Sequence, residues 1–260
     1  MRTAFLLSFL VVMSISSSCF AEEEKKAKPS LTCHMTRMWK GPFGDMPVNQ
    51  YQAHNLPIGQ KFRVIFENLK GPTCEVEGIV EEDGRLKVSS LTDKTQQIYL
   101  DEWEHPAIGL YLPGEPLTLS LISPDEKIKI STINIHNPIE AYGSGDAHIS
   151  LILTDINCKK HLLAMQGFTP FEKININYHS CDKIVSSEVE IWANGAQKIS
   201  LVPYSSEWSG GKTTIEIIRS NKETLSLTYD WGDVAIAAFK ERKRQRQESR
   251  QLQAAIADKK

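Results

Sequence analysis

The sequence predicts an all-β chain: two antiparallel immunoglobulin-like β-sandwich units followed by a C-terminal charged helix or tail. Three observations carry that prediction. Short runs alternate strictly between polar and apolar residues, as strands with one buried and one wet face do. Turn residues punctuate these runs at spacings of about 8–14 residues, the rhythm of a sandwich. After Trp231-Gly232 the alternation stops, and residues 240–251 hold no apolar side chain.

The chain opens with a secretory signal pattern. Arg2 supplies a positive start, Phe5 to Met13 is mostly apolar, and Cys19-Phe20-Ala21 places small residues where a signal peptidase cuts, after Ala21. A lipid-modified Cys19 is the other reading; Ser16, where an apolar residue belongs, weighs against it. The apolar run is far shorter than the roughly 20 residues of a membrane span, and no later stretch is long and apolar enough. Residues 1–21 are therefore expected to be a cleaved signal peptide, and the product exported to a periplasm, a cell envelope or the outside. Residues 22–30 read as a charged linker ending near Pro29.

Residues 31–116 form the expected N-terminal β-rich domain. Residues 61–67 and 74–80 partly alternate, and Asp83-Gly84 reads as a hairpin turn before Arg85-Leu86-Lys87-Val88. Residues 32–56 are less regular and are expected to be mostly loop. Residues 117–232 form the expected C-terminal sandwich, with cleaner runs at 117–121, 128–130, 149–153, 173–178, 188–192, 198–202, 214–218 and 224–229. Pro138, Gly143-Ser144-Gly145, Asn194-Gly195, Gly210-Gly211 and Ser220-Asn221 supply the turns between them. Pro-led approaches at Leu56-Pro57, Leu112-Pro113 and Thr169-Pro170 fit either a worn duplication or proline's ordinary place at a strand start.

Removal of the leader leaves Cys33, Cys74, Cys158 and Cys181. An even number of cysteines in an exported chain predicts disulfides, and spacing favours Cys33–Cys74 and Cys158–Cys181 among the three pairings. Loops of that size stabilise by on the order of 3–4 kcal/mol each when closed.

Charge is unevenly placed. Residues 240–260 carry eight basic and three acidic side chains, whereas residues 22–239 sum to −8. Residues 233–260 are thus expected to be a basic protruding helix or a disordered tail, because a helix polar all round cannot pack on a core. With 41% hydrophobic and 24% charged residues, the composition excludes collagen-like, low-complexity and wholly disordered classes. A net charge of −2 gives no ground for a nucleic-acid binder.

Four clusters invite a chemical reading. Cys158-x-x-His161 and His179-x-Cys181 could close a tetrahedral zinc site on paired strands; oxidation of Cys158 with Cys181 would forbid it. Asp101-Glu102-Trp103-Glu104-His105 gathers carboxylates beside an indole, as glycoside chemistry requires, yet also reads as a solvated turn before Pro106. Gly143-Ser144-Gly145-Asp146-Ala147-His148 lacks the spacing of a nucleophile elbow. Gly210-Gly211-Lys212-Thr213 lacks the first glycine and the helix of a phosphate loop.

Because each catalytic pattern fails on spacing or compartment, a non-enzymatic binding, adhesion or structural role in a cell envelope is expected, without a cofactor. The alternative is an extracytoplasmic hydrolase or zinc protein using Asp101, Glu102 and Glu104, or Cys158, His161, His179 and Cys181. Expected partner-binding residues are Trp208, Trp231, Arg242, Lys243, Arg244 and Arg246, the tryptophans as exposed anchors and the bases toward another surface macromolecule or an anionic membrane. Trp192 is expected in the core.

Overall fold

The structure is a computed structural model that describes residues 27–41, 44–89, 96–103, 105–106, 111–181, 183–203 and 207–257. The expected leader lies outside these residues. The described chain is mostly β, with four antiparallel sheets and a C-terminal helix.

The first half supplies β1 (Ser30–Gly41), β2 (Gly44–His54), β3 (Lys61–Asn68), β4 (Gly71–Val80), β5 (Leu86–Ser89), β6 (Gln97–Tyr99), β7 (His105–Pro106), β8 (Pro116–Ile122) and β9 (Lys129–Ile135). They form a three-stranded sheet, β1-β2-β7, and a six-stranded sheet, β6-β5-β4-β3-β8-β9. Leu31 and Tyr51 from the first meet Phe62, Val64, Phe66, Leu117, Leu119 and Leu121 from the second in one core. Apolar residues recur at every second position of β3 and β8, so one face of each strand enters that core.

Two expectations change here. Residues 32–56, expected to be mostly loop, form the long β1–β2 pair, with Cys33 opposite Tyr51. Their inward phase is carried by Leu31, Cys33 and Tyr51 among polar and charged neighbours, so alternation is faint in the sequence. β8 and β9, expected in the second unit, extend the first sheet through β3. Alternation identifies both strands but does not say which sheet they join.

The second half supplies β10 (Ile139–Tyr142), β11 (His148–Leu153), β12 (His161–Gln166), β13 (Lys173–Ser180), β14 (Lys183–Glu190), β15 (Gln197–Leu201), β16 (Gly210–Ile218) and β17 (Thr224–Trp231), then α1 (Gly232–Ala257). Sheet β10-β11-β12-β15 faces sheet β14-β13-β16-β17. Ile149, Leu151, Leu163 and Met165 from one meet Ile174, Ile176, Ile215, Ile217, Leu225, Leu227 and Trp231 from the other. β12, with the sequence HLLAMQ, does not alternate and carries no strand signal of that kind. It sits between β11 and β15, and Ala164, on its other face, is buried as well. Gly210-Gly211, expected as a turn, begins β16.

At one end of this second unit, Arg219 makes a two-pronged ion pair with Glu172, at 3.2 and 3.1 Å. Arg219 also reaches Glu223 at 2.9 Å, and Ser220 donates its N–H and hydroxyl to Glu172. Arg219 and Glu172 are both buried, and the Phe168 ring lies 5.0 Å from the guanidinium carbon. The network ties the β12–β13 connection to the β16–β17 turn. Removing one member strands the other as a buried charge. Arg219→Met is therefore expected to destabilise the chain by about 3–5 kcal/mol, measured as a shift in the urea unfolding midpoint.

Candidate functional site

The functional question centres on α1 and its root. β17 runs into the helix without a loop. Gly232 takes a φ of 58° and donates its N–H to the Cys158 carbonyl at 2.9 Å, while Asp233 N–H donates to Ser209 O at 3.1 Å. A Cβ at Gly232 would stand 2.1 Å from Ser209 O, so the crossing with the bridged Gly210 requires glycine. Ala235, Ile236 and Phe239 then pack on Leu112, Leu153 and Cys158. Leu69, from the β3–β4 turn, joins the same cluster, so the root touches both halves of the chain.

Beyond Phe239 the helix leaves the body. Residues 240–245 and 247–249 are mostly exposed. The 18 residues from Lys240 to Ala257 span about 27 Å at the helical rise. Arg244 is held by Glu241 at 2.7 Å and Glu248 at 3.0 Å, which keeps the Glu241 carboxyl below its usual range and quenches this cation locally. Arg242 and Lys243 are exposed and make no ion pair among the described residues. By helical spacing, Lys243 continues the face that Phe239 begins, while Glu241 and Glu248 lie across from it. The helix thus sets the exposed cations Arg242 and Lys243 apart from the pair-bound Arg244.

The expected anchors separate. Trp208 is 47% exposed. Trp231, expected as an anchor, is 0% exposed, and Trp192, expected in the core, is 53% exposed. Phase explains both corrections. Leu225, Leu227, Tyr229 and Trp231 share the inward parity of β17, whereas Val189 and Ile191 take the inward parity near Trp192 and turn its indole out.

The zinc arrangement is not assembled. His161 points into the core against Tyr229, ring centroids 4.7 Å apart. His179 lies on the other face of its sheet, 3.6 Å from Glu216. Burial pushes the Cys158 thiol up to about 11, away from the thiolate a metal needs. No group of three or more metal-ligating side chains gathers among the described residues. No disulfide joins the four cysteines in this structure. Cys33 and Cys74 border one core, opposite Tyr51 and Phe66, whose rings meet edge-on at 5.8 Å. Cys181 Sγ and the Trp231 indole nitrogen both lie over Gly211.

The carboxylate cluster is also spoken for. Arg85 binds Asp101 and Glu102 at 2.7 and 2.6 Å and stacks on Tyr99. Trp103 packs edge-on against Phe66 and offers no open platform. Glu104 and the His105 side chain lie outside the described residues. The adjoining cleft, about 200 Å³, is smaller than the roughly 300 Å³ at which ligand sites begin. Ser144 bonds Glu223, while His148 bonds Glu140 and stacks on Tyr142, so Ser144, Asp146 and His148 do not converge.

No protein-family model matches the chain, and no curated protein matches it. Among solved structures, the tetra-tandem repeat in the extending region of a large adhesion protein is similar, with 10% identity and a TM-score of 0.26. The match covers 79% of this chain and 49% of that one, so the chain spans about half of its length. A likeness that loose fixes neither fold detail nor function.

The root and the buried imidazole each make a measurable difference. Gly232→Ala forces a Cβ against Ser209 and is expected to cost more than about 2 kcal/mol of unfolding free energy, with loss of helical signal in circular dichroism. Burial holds the His161 imidazole down to about 4, partly opposed by Asp155. The unfolded chain takes up this proton near its ordinary value of 6.5. Stability is therefore full above that value and falls as pH drops toward 4, by on the order of 3 kcal/mol from this group. A pH series of unfolding midpoints should show the fall, and His161→Phe should flatten it.

Proposed function

We propose that the chain is an exported, non-enzymatic binding protein of a cell envelope, built from two immunoglobulin-like β-sandwich units. Its projecting helix engages an acidic surface macromolecule. The carrying observation is α1 itself: its root is locked into the body, whereas its outer part projects and carries Arg242 and Lys243 with no ion pair among the described residues. Exposed basic charge of this kind steers toward and holds opposite charge without any pocket. The interlocked pairs β12–β15 and β13–β16, one in each facing sheet, support the immunoglobulin-like reading of the second unit. The leader pattern and the even cysteine set support export, with Cys33–Cys74 and Cys158–Cys181 as the proposed oxidised pairs. Trp208, exposed beside the helix root, is proposed as an accessory contact.

The test is retention on an acidic polymer and on an envelope fraction, with phosphatidylglycerol vesicles as a parallel arm. Deleting residues after Phe239 should leave the β body folded and abolish salt-sensitive retention. Arg242→Gln and Lys243→Gln should each weaken binding by on the order of 1 kcal/mol, about fivefold. Retention that survives the deletion overturns the reading. Binding to vesicles alone reassigns the partner to a membrane.

A further inference from the structure

The second unit is closed along one side and open along the other. β10 lies against β17, so these two sheet edges cover each other. On the opposite side β14 and β15 end their sheets, and no ladder joins them. β14 is exposed along nearly its whole length, with Ile184 at 69% and Val185 at 56%. An exposed eight-residue edge with apolar residues is what sheet proteins ordinarily blunt.

Which backbone groups are free follows from the hairpin. Ser180 faces Lys183 across a two-residue connection, so that closing pair is hydrogen-bonded and the ladder alternates from there. The groups of residues 183, 185, 187 and 189 face β13. The groups of Ile184, Ser186, Glu188 and Glu190 face outward. Ile191, in phase with the first set, donates to Glu172 O on the β13 side at 2.9 Å, consistent with that alternation.

We infer that β14 pairs antiparallel with β14 of a second copy of this chain, centred on Ser187. In that register Ile184 faces the partner's Glu190, Val185 faces the partner's Val189, and Ser186 faces the partner's Glu188. All the outward backbone groups then meet their counterparts. On the inner face each row reads Ile174, Val189, the partner's Val185, the partner's Tyr178, which joins the two cores. On the outer face Asn175 and Glu188 continue into the partner's Ser186 and the partner's Asn177, an unbroken polar row. Each Glu188 is already answered by its own Lys173 at 3.4 Å.

Neighbouring registers are worse. A shift one way sets Glu188 opposite the partner's Glu188, a like-charge pair. A shift the other way sets Lys183 against the partner's Val189 and Val185 against the partner's Ser187. Of these three registers, only the one centred on Ser187 sets valine against valine and places no like charges face to face; its two Ile184–Glu190 pairs set an apolar side chain against a charged one. The pairing is self-complementary, the condition for a closed two-fold dimer.

The experiment uses the full chain. Sedimentation velocity across a dilution series should show a monomer–dimer equilibrium. Ser186→Pro removes an outward N–H that β13 does not use, which an edge strand tolerates, and should weaken dimerisation at least about tenfold with an unchanged melting curve. Independently, Ser187→Cys in the otherwise unaltered chain should give, on mild oxidation, a dimer whose peptide map contains a 187-to-187 disulfide. A monomer at all concentrations that forms no such cross-link overturns the inference. So does a dimer that Ser186→Pro leaves intact and that disappears when residues after Phe239 are deleted, since it then forms through the helix.

Discussion

One small apolar cluster makes the described parts a single body. Leu112 comes from the segment joining the halves, Leu69 from the β3–β4 turn, Leu153 and Cys158 from the β11–β12 region, and Ala235, Ile236 and Phe239 from the helix. None of these elements could bury its contribution alone. Backbone bonds reinforce the cluster: Leu153 N–H donates to Gly114 O at 2.8 Å, and Gly114 N–H donates to Asn137 O at 2.8 Å. The buried Glu115 accepts from Leu112 N–H at 2.9 Å, which fixes the connecting turn. The direction in which α1 leaves the body is set here, by packing density.

Charge in the body is largely consumed locally. Arg219 answers Glu172 and Glu223, and Arg85 answers Asp101 and Glu102. Clusters that look catalytic in a linear sequence thus become braces once folded. Asp101 gives both of its oxygens to Arg85, and Glu102 gives it Oε1. On the outer helix, basic charge outnumbers its local answers, and that surplus is what the proposed binding role rests on.

Period-2 alternation makes strands such as β13 and β17 readable from the sequence alone. It fails for β12, HLLAMQ, where Leu162 and Ala164 put apolar side chains on the outer face as well and Ala164 is buried there. It also says nothing about pairing, so β8 and β9 can be found but not placed. The tryptophans show a subtler loss. Trp192 and Trp231 each close an alternating run, but their parity within the run decides their fates, and parity is readable in the sequence. The zinc pattern fails for the same reason: His161 points inward, while His179 lies on the wet face of its own sheet. The Gly210–Gly232 crossing leaves only glycines as its trace, because its need is set by a backbone approach between segments distant in sequence.

The loopless passage from β17 into α1 has a mechanical side. A load on the outer helix passes through Gly232 straight into β17, with no slack segment to absorb it. The load is met there by the eight residue pairs of β17 with β16 and by the Gly232 N–H bond to the Cys158 carbonyl.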